Sequence, residues 1–156
     1  MHKDLTIIPL TAEHAGALSA MIFGDSEEYR RHFTPFSFDE ASLADRLRRA
    51  KRDCYWGIHS GSALTGFFML RGFDEGYERP SFGVYLAEHF SGAGLAKLAL
   101  QYTLSWCCLN AVPAVMLKVH ASHPRARKIY EEMGFTPIGT CPTTGQAILE
   151  KHFPSA

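Results

Sequence analysis

The spacing of hydrophobic residues over the first fifty positions predicts one short strand followed by two helices. Residues 5–10 form an apolar run closed by a proline, which is typical of a short strand. Thr11 then stands at a helix start, because apolar side chains recur at helical spacing over residues 15–22. Residues 37–40, Ser-Phe-Asp-Glu, predict a capping box that opens a second helix. The aromatic stretch between them, residues 29–38, predicts irregular structure.

From residue 54 onward the pattern changes to alternating and continuous apolar runs, which predict strands. Residues 54–58 alternate, a turn follows at 59–62, and residues 63–71 return as a second apolar strand. After an acidic loop come a strand at 81–87, a helix behind the glycine turn at 92–94, a strand at 115–121, a helix from Pro124 to Gly134, and a closing strand at 146–151.

This order of elements, β-α-α-β-β-β-α-β-α-β, predicts an α/β (α+β) fold in which helices cover both faces of a mixed sheet. The length of 156 residues suits a single domain over residues 1–156.

Composition excludes several classes of partner. The formal net charge is zero, so no overall field recruits nucleic acid or a membrane, and neither partner is expected. The first residues lack the apolar run of a signal peptide, and no stretch is long enough to span a bilayer, which predicts a cytoplasmic protein. The four cysteines show no Cys-x-x-Cys spacing and are expected to be small buried thiols, and not a disulfide or a metal site.

The turn around Gly92 and Gly94 is the first candidate for chemistry, because it joins a predicted strand directly to a helix. Such a turn presents backbone N–H groups at the positive end of a helix dipole, where a diphosphate binds well. No Gly-Lys-Ser/Thr sequence marks a nucleotide P-loop, and Lys97 breaks the dinucleotide pattern Gly-x-Gly-x-x-Gly. Taken alone, the turn leaves open an anion site and a turn needed only for packing.

A second segment decides between these interpretations. Residues 123–135, His-Pro-Arg-Ala-Arg-Lys-Ile-Tyr-Glu-Glu-Met-Gly-Phe, match the pattern Asn-x-x-Ala-x-x-Leu-Tyr-x-x-x-Gly-Phe, and residues 91–96 match Arg/Gln-x-x-Gly-x-Gly/Ala. With both motifs in this order and at this separation, residues 54–140 resemble the GCN5-related N-acetyltransferase (GNAT) superfamily. The resemblance implies a mostly antiparallel sheet with splayed central strands, and acetyl-CoA as the acyl donor with no metal.

The resemblance also implies which residues hold the donor. They are Val84, Tyr85, Leu86, Ser91, Gly92, Ala93, Gly94, Leu95, Ala96, Lys97 and His123. Backbone groups of the strand would hold the pantetheine arm, and the glycine turn would hold the pyrophosphate. Ser91 departs from the usual arginine or glutamine, and His123 replaces the usual asparagine, so the site must rely on backbone amides.

By the same resemblance, Tyr130 is the proton donor to the leaving thiolate, although it also fits a core aromatic. Lys118 occupies the position where some relatives carry a glutamate base, so the base is sought elsewhere. The candidates are Glu78, His120, Asp74 and Glu75. The spacing of His120 and His123 invites a metal, but no third ligand follows nearby.

The acceptor is expected to be the primary amine of a small molecule, bound by the aromatic residues 25–38 and the acidic loop 72–80. A nucleotide-linked amino sugar is one candidate, with Arg30, Arg31 or the basic residues 46–52 near its phosphates. A polyamine, a protein N-terminus and a non-catalytic CoA-binding regulatory module stay open as alternatives. A homodimer and an acyl chain longer than acetyl also stay open.

Overall fold

The computed structural model of the chain describes residues 2–154, which form seven strands and five α-helices. The strands are β1 (Leu5–Pro9), β2 (Cys54–Ser60), β3 (Ala63–Arg71), β4 (Ser81–Leu86), β5 (Ala114–Val119), β6 (Thr136–Thr140) and β7 (Ala147–His152). The helices are α1 (Ala15–Phe23), α2 (Glu27–Arg30), α3 (Glu40–Arg49), α4 (Leu95–Leu109) and α5 (Pro124–Glu132). Short 3-10 turns lie at Ala12–His14, Phe73–Glu75 and Glu88–Phe90.

The strands follow the order β1-β2-β3-β4-β5-β7-β6 in one sheet. β1 runs antiparallel to β2, and β7 runs antiparallel to both β5 and β6. β4 and β5 are parallel and pair at Ser81 and Met116. This mixed, mostly antiparallel sheet confirms the predicted fold class. β6 was missing from the predicted order, because its Thr-Pro-Ile-Gly-Thr sequence is exposed throughout and lacks an apolar alternation.

The chain divides into two compact units whose boundaries cut through β3 and β4. One unit comprises the residues up to 69 together with 84–96, and the other comprises 70–83 and the residues from 97 onward. Within residues 2–154 no helix is both long and apolar enough to cross a membrane.

The first unit has a core built from helices α1 and α3. Its buried residues are Leu10, Ala15, Leu18, Ile22, Phe38, Leu43, Leu47, Tyr55, Phe67, Met69 and Tyr85. The N-terminal cap of α3 is not the capping box that was predicted to start at Ser37. Asp39 is the N-cap residue, and its carboxylate accepts the N–H of Ser42 at 2.9 Å. A carboxylate at this position satisfies an unpaired amide and also stabilises the positive end of the helix.

The aromatic segment expected to be irregular begins inside the short helix α2 and then packs against this core. The ring of Phe33 stacks on Phe38 with centroids 5.9 Å apart, and its edge meets Phe67 at 5.8 Å. Phe36 meets the ring of Tyr55 at 6.3 Å. These aromatic side chains are therefore largely part of the interior of the unit.

The second unit is built around α4, β5 and β7. Its fully buried residues include Ala99, Leu100, Cys107, Val115, Leu117 and Leu149. Cys107 and Cys141 are buried as predicted, whereas Cys54 is half-buried and Cys108 is exposed, and within residues 2–154 none of the four cysteines forms a disulfide. Helix α5 departs from expectation, because its apolar stripe of Ala126, Ile129, Tyr130 and Met133 is only half-buried.

Gly66 on β3 provides a test of how tightly β3 and β4 approach. A β-carbon at Gly66 would lie 2.7 Å from the carbonyl oxygen of Tyr85 and 2.7 Å from Leu86 Cδ2. We expect Gly66→Ala to lower the free energy of unfolding by about 1–3 kcal/mol, because backbone must shift to make room.

Urea denaturation measures this loss. Gly139→Ala is the matched control, since a β-carbon there meets nothing within 4 Å, and it should unfold at or above the wild-type urea concentration. Equal midpoints for Gly66→Ala and the wild type would contradict the close approach.

Candidate functional site

The glycine turn connects β4 to α4 and exposes the backbone at the start of the helix. Gly92 and Gly94 adopt φ values of +86° and +80°, in the left-handed region that favours glycine. A β-carbon at either position would meet nothing within 4 Å, so the backbone conformation, and not crowding, requires glycine here. The turn is exposed and leads directly into Leu95, the first residue of α4. Exposed amides at a helix start fit a pyrophosphate.

Ser91, the residue that departs from the usual motif, is used within the turn itself. Its hydroxyl donates to the carbonyl oxygen of Glu88 at 2.7 Å. This bond closes the 3-10 turn that precedes the glycines. Of the next predicted site residues, Leu95 is buried, Ala96 is half-buried and Lys97 is exposed.

Two residues of the α1–α2 region, Asp25 and Tyr29, hold the end of β4. The buried Tyr85 hydroxyl donates to the Asp25 carboxylate, which also accepts the N–H of Glu88 at 3.2 Å. The Tyr29 hydroxyl donates to the carbonyl oxygen of Leu86 at 2.7 Å. The side chain of Tyr85 therefore points into the core, and the carbonyl of Leu86 already accepts one hydrogen bond. The half-buried Val84 lies beside them on the strand.

Both tyrosines in this network are held as neutral phenols. Burial, with the hydrogen bond to Asp25 and its charge, strongly raises the pKa of Tyr85. Burial also raises the pKa of Tyr29, with the charges of Asp25 and Glu88 acting in the same direction. The two hydroxyls therefore donate hydrogen bonds at neutral pH.

Tyr130 lies on α5 in the second unit, and its half-buried ring meets Phe135 at 6.0 Å. Burial raises the pKa of Tyr130 to about 12. The hydroxyl therefore carries its proton throughout the neutral range, which suits a group that donates a hydrogen bond or a proton.

His120 and His123 come together at the end of β5, with ring centroids 6.1 Å apart. Nδ1 of His120 lies 2.7 Å from the Ser122 hydroxyl and accepts the Ser122 N–H at 3.1 Å. A backbone N–H only donates, so neutral His120 carries its proton on Nε2. Among residues 2–154 no group of three potential ligands could hold a metal ion.

The other candidate bases lie on exposed surface. Glu78 is exposed in the turn before β4, and within residues 2–154 its side chain makes no hydrogen bond or ion pair. Asp74 and Glu75 are exposed in the 3-10 turn after β3. Lys118 is exposed on β5, opposite Ile148 of β7.

Comparison with known proteins assigns this arrangement to a family. A family model described as an acetyltransferase (GNAT) domain matches residues 4–136. The chain belongs to the GNAT acetyltransferase domain family.

This GNAT domain is similar to mycothiol acetyltransferase of Corynebacterium aurimucosum, with 34% identity over 88 residues, which are 54% of this chain and 28% of that protein. It is also similar to N-acetylaspartate synthetase of Danio rerio, with 24% identity over 120 residues, or 74% and 43% of the two chains.

The GNAT domain thus spans less than half the length of the curated relatives it matches. Among solved structures, it resembles the PaiA N-acetyltransferase of Thermoplasma acidophilum in complex with coenzyme A. The TM-score is 0.75 at 18% identity, with 96% of this chain and 99% of that chain covered. This likeness supports the shared fold.

Sequence reasoning placed residues 25–38 around the acceptor but missed that Asp25 and Tyr29 hold the end of β4. Both lie in the segment after α1, and their partners on β4 lie about sixty positions further along the chain. A single acidic residue after a helix carries no signal of such a contact. Only the aromatic bias of the following stretch hinted that this region packs against something.

The glycine turn of the GNAT domain generates a test that separates backbone strain from ligand binding. We expect Gly94→Ala to lower the free energy of unfolding by about 1 kcal/mol, since alanine tolerates this conformation poorly. Its Kd for coenzyme A should rise at least about tenfold, because relaxing the strain turns the amides away from the pyrophosphate.

The control is Gly76→Ala, which imposes the same strain at φ +94° where a β-carbon also meets nothing. Titration calorimetry and urea denaturation of both variants give the comparison. An equal loss of coenzyme A affinity in both would show that the glycine turn has no special part in binding.

Proposed function

We propose that this GNAT domain is an N-acetyltransferase that moves an acetyl group from acetyl-CoA to the primary amine of a small molecule. The observation that carries the proposal is the open turn at Gly92 and Gly94, whose left-handed backbone presents amides at the start of α4. The similarity of the fold to an acetyltransferase in complex with coenzyme A supports the same donor.

The donor is bound mainly by backbone groups. The amides of Gly92, Ala93 and Gly94 bind the pyrophosphate, and backbone groups of Val84 and Leu86 bind the pantetheine arm. The hydroxyl of Ser91 is already bonded to Glu88, so it replaces neither the charge nor the reach of the missing arginine. His123, at the start of α5, takes the position of the usual asparagine.

The transfer proceeds by direct aminolysis. A bond forms between the amine nitrogen and the carbonyl carbon, and the carbon–sulfur bond breaks. The nitrogen loses one proton and the sulfur gains one, so the protein needs a proton acceptor and a proton donor. Tyr130 is the donor by its place in the family motif. Burial raises its pKa to about 12, so the hydroxyl is a weaker acid than an ordinary phenol and gives up its proton only as negative charge develops on the sulfur.

Glu78 and His120 are the two candidates for accepting the amine proton. Glu78 is solvent-exposed and accepts the proton through water. His120 accepts it only after the bonds from Ser122 to Nδ1 rearrange, so we place Glu78 first. His120 then acts as a hydrogen-bond donor through Nε2.

A nucleotide-linked amino sugar is the acceptor we favour. Its phosphates suit the arginines Arg46, Arg48 and Arg49 in the last turn of α3. A polyamine and a protein N-terminus are the competing acceptors. A CoA-binding module without catalysis is the competing function, favoured by the loss of a long polar side chain at Ser91.

Replacing Tyr130 by phenylalanine tests the proton donor. We expect turnover to fall at least about tenfold because the sulfur loses its proton source, while the Kd for acetyl-CoA changes by less than about twofold. Steady-state kinetics and calorimetry measure the two quantities.

Tyr102, which is exposed on α4, gives the control Tyr102→Phe, which should behave as the wild type. Unchanged turnover in Tyr130→Phe would remove this residue from the mechanism.

A thiol-release assay tests the function itself. The protein is incubated with acetyl-CoA and a panel of amino-sugar nucleotides, polyamines, aminoglycosides and peptide N-termini. We expect release above background with at least one amino-sugar nucleotide. Coenzyme A binding without turnover on any amine would instead favour the non-catalytic module.

A further inference from the structure

A cleft of about 220 Å³ lies along α3 and the segment that precedes it. Its lining residues are Phe36, Ser37, Ser42, Asp45, Arg46 and Arg49. We propose that this cleft binds a phosphate group of the acceptor, with Arg46 as its principal ligand. The inference rests on the proposed function only for the identity of the acceptor, since phosphate binding is measurable without turnover.

The cleft follows from the spacing of residues on α3. Ser42, Asp45, Arg46 and Arg49 recur at intervals of three and four, so they share one face of the helix. The opposite face buries Leu43 and Leu47. The polar face is therefore fixed in orientation by the core, and its side chains meet Phe36 and Ser37 from the preceding segment.

Arg46 differs from the other arginines of α3. Its guanidinium carbon lies 4.1 Å from the centroid of the Phe36 ring, and the residue is half-buried. No carboxylate within residues 2–154 forms an ion pair with it. Stacking on a ring uses the face of the guanidinium and leaves its N–H groups at the edge, where they fit the oxygens of a phosphate.

The charge balance of the cleft favours an anion. Asp45 is shared by two arginines, with Arg49 Nε at 2.8 Å and Arg48 Nη1 at 3.8 Å. The lining residues Asp45, Arg46 and Arg49 together carry a formal charge of +1. Arg49 keeps the N–H groups of its two terminal nitrogens, and the exposed Ser37 hydroxyl adds another donor.

This donor set selects the chemical class of the ligand. Two guanidinium groups and a hydroxyl match a phosphate ester better than a polyamine, whose positive charges the arginines repel. The phosphate has two sources in the proposed reaction, the acceptor and the 3′-phosphate of coenzyme A. We assign the cleft to the acceptor.

Titration calorimetry with uridine diphosphate tests this assignment on the full chain, with and without saturating coenzyme A. We expect wild-type protein to bind uridine diphosphate in both conditions, and Arg46→Met to weaken that binding at least about tenfold. Arg46→Lys should show a partial loss, because lysine keeps the charge without the planar fork. Arg48→Met changes the net charge equally outside the cleft and should remain within about twofold of wild type.

Equal binding by Arg46→Met and wild type would overturn the inference, as would an equal loss in Arg48→Met. Loss of uridine diphosphate binding when coenzyme A is added would assign the phosphate to the donor site and also overturn it. A thermal melt of each variant shows whether a loss of uridine diphosphate binding comes from unfolding. If Arg46→Met is unfolded, the test is the partial loss of binding expected for Arg46→Lys. If the protein transfers acetyl to an amine but does not bind uridine diphosphate, this inference is wrong and the proposed function stands.

Discussion

The end of β4 is held in place by one buried hydroxyl and the carboxylate that accepts its hydrogen bond. Tyr85 packs its ring into the core of the first unit, so its hydroxyl must find a partner there. A buried hydroxyl without one costs about 1–3 kcal/mol. Asp25 supplies the partner and also accepts the N–H of Glu88. This carboxylate thus sets where the strand stops and the 3-10 turn starts.

The position of the glycine turn depends on these hydrogen bonds of Asp25. The 3-10 turn from Glu88 to Phe90 begins at the amide held by Asp25 and closes through the Ser91 hydroxyl. The left-handed residues Gly92 and Gly94 then lead directly into α4. A site that binds pyrophosphate through amides alone depends on having those amides oriented in advance. In the proposed pyrophosphate site, this side-chain network would take over part of the role of the missing arginine or glutamine at position 91.

Sequence patterns succeeded where the physical cause is local, and failed where it is distant. The glycine turn, the proline that opens α5 and Gly134, which follows α5 at φ +98°, were all predictable from single residues with special backbone preferences. The cap at Asp39 was misplaced because Ser37 offers an equally good local pattern. The contacts of Asp25 and Tyr29 were missed because their partners on β4 lie about sixty residues away.

The arginines of α3 show how structure separates residues that composition treats alike. In the sequence, the basic positions 46–52 fit a solvated helix end as well as an anion site. In the structure, Arg48 and Arg49 share the carboxylate of Asp45, whereas Arg46 stacks on an aromatic ring. Among residues 2–154, Arg46 is thus the arginine of α3 that pairs with no carboxylate, and the difference comes from Phe36, which lies ten positions earlier in the chain.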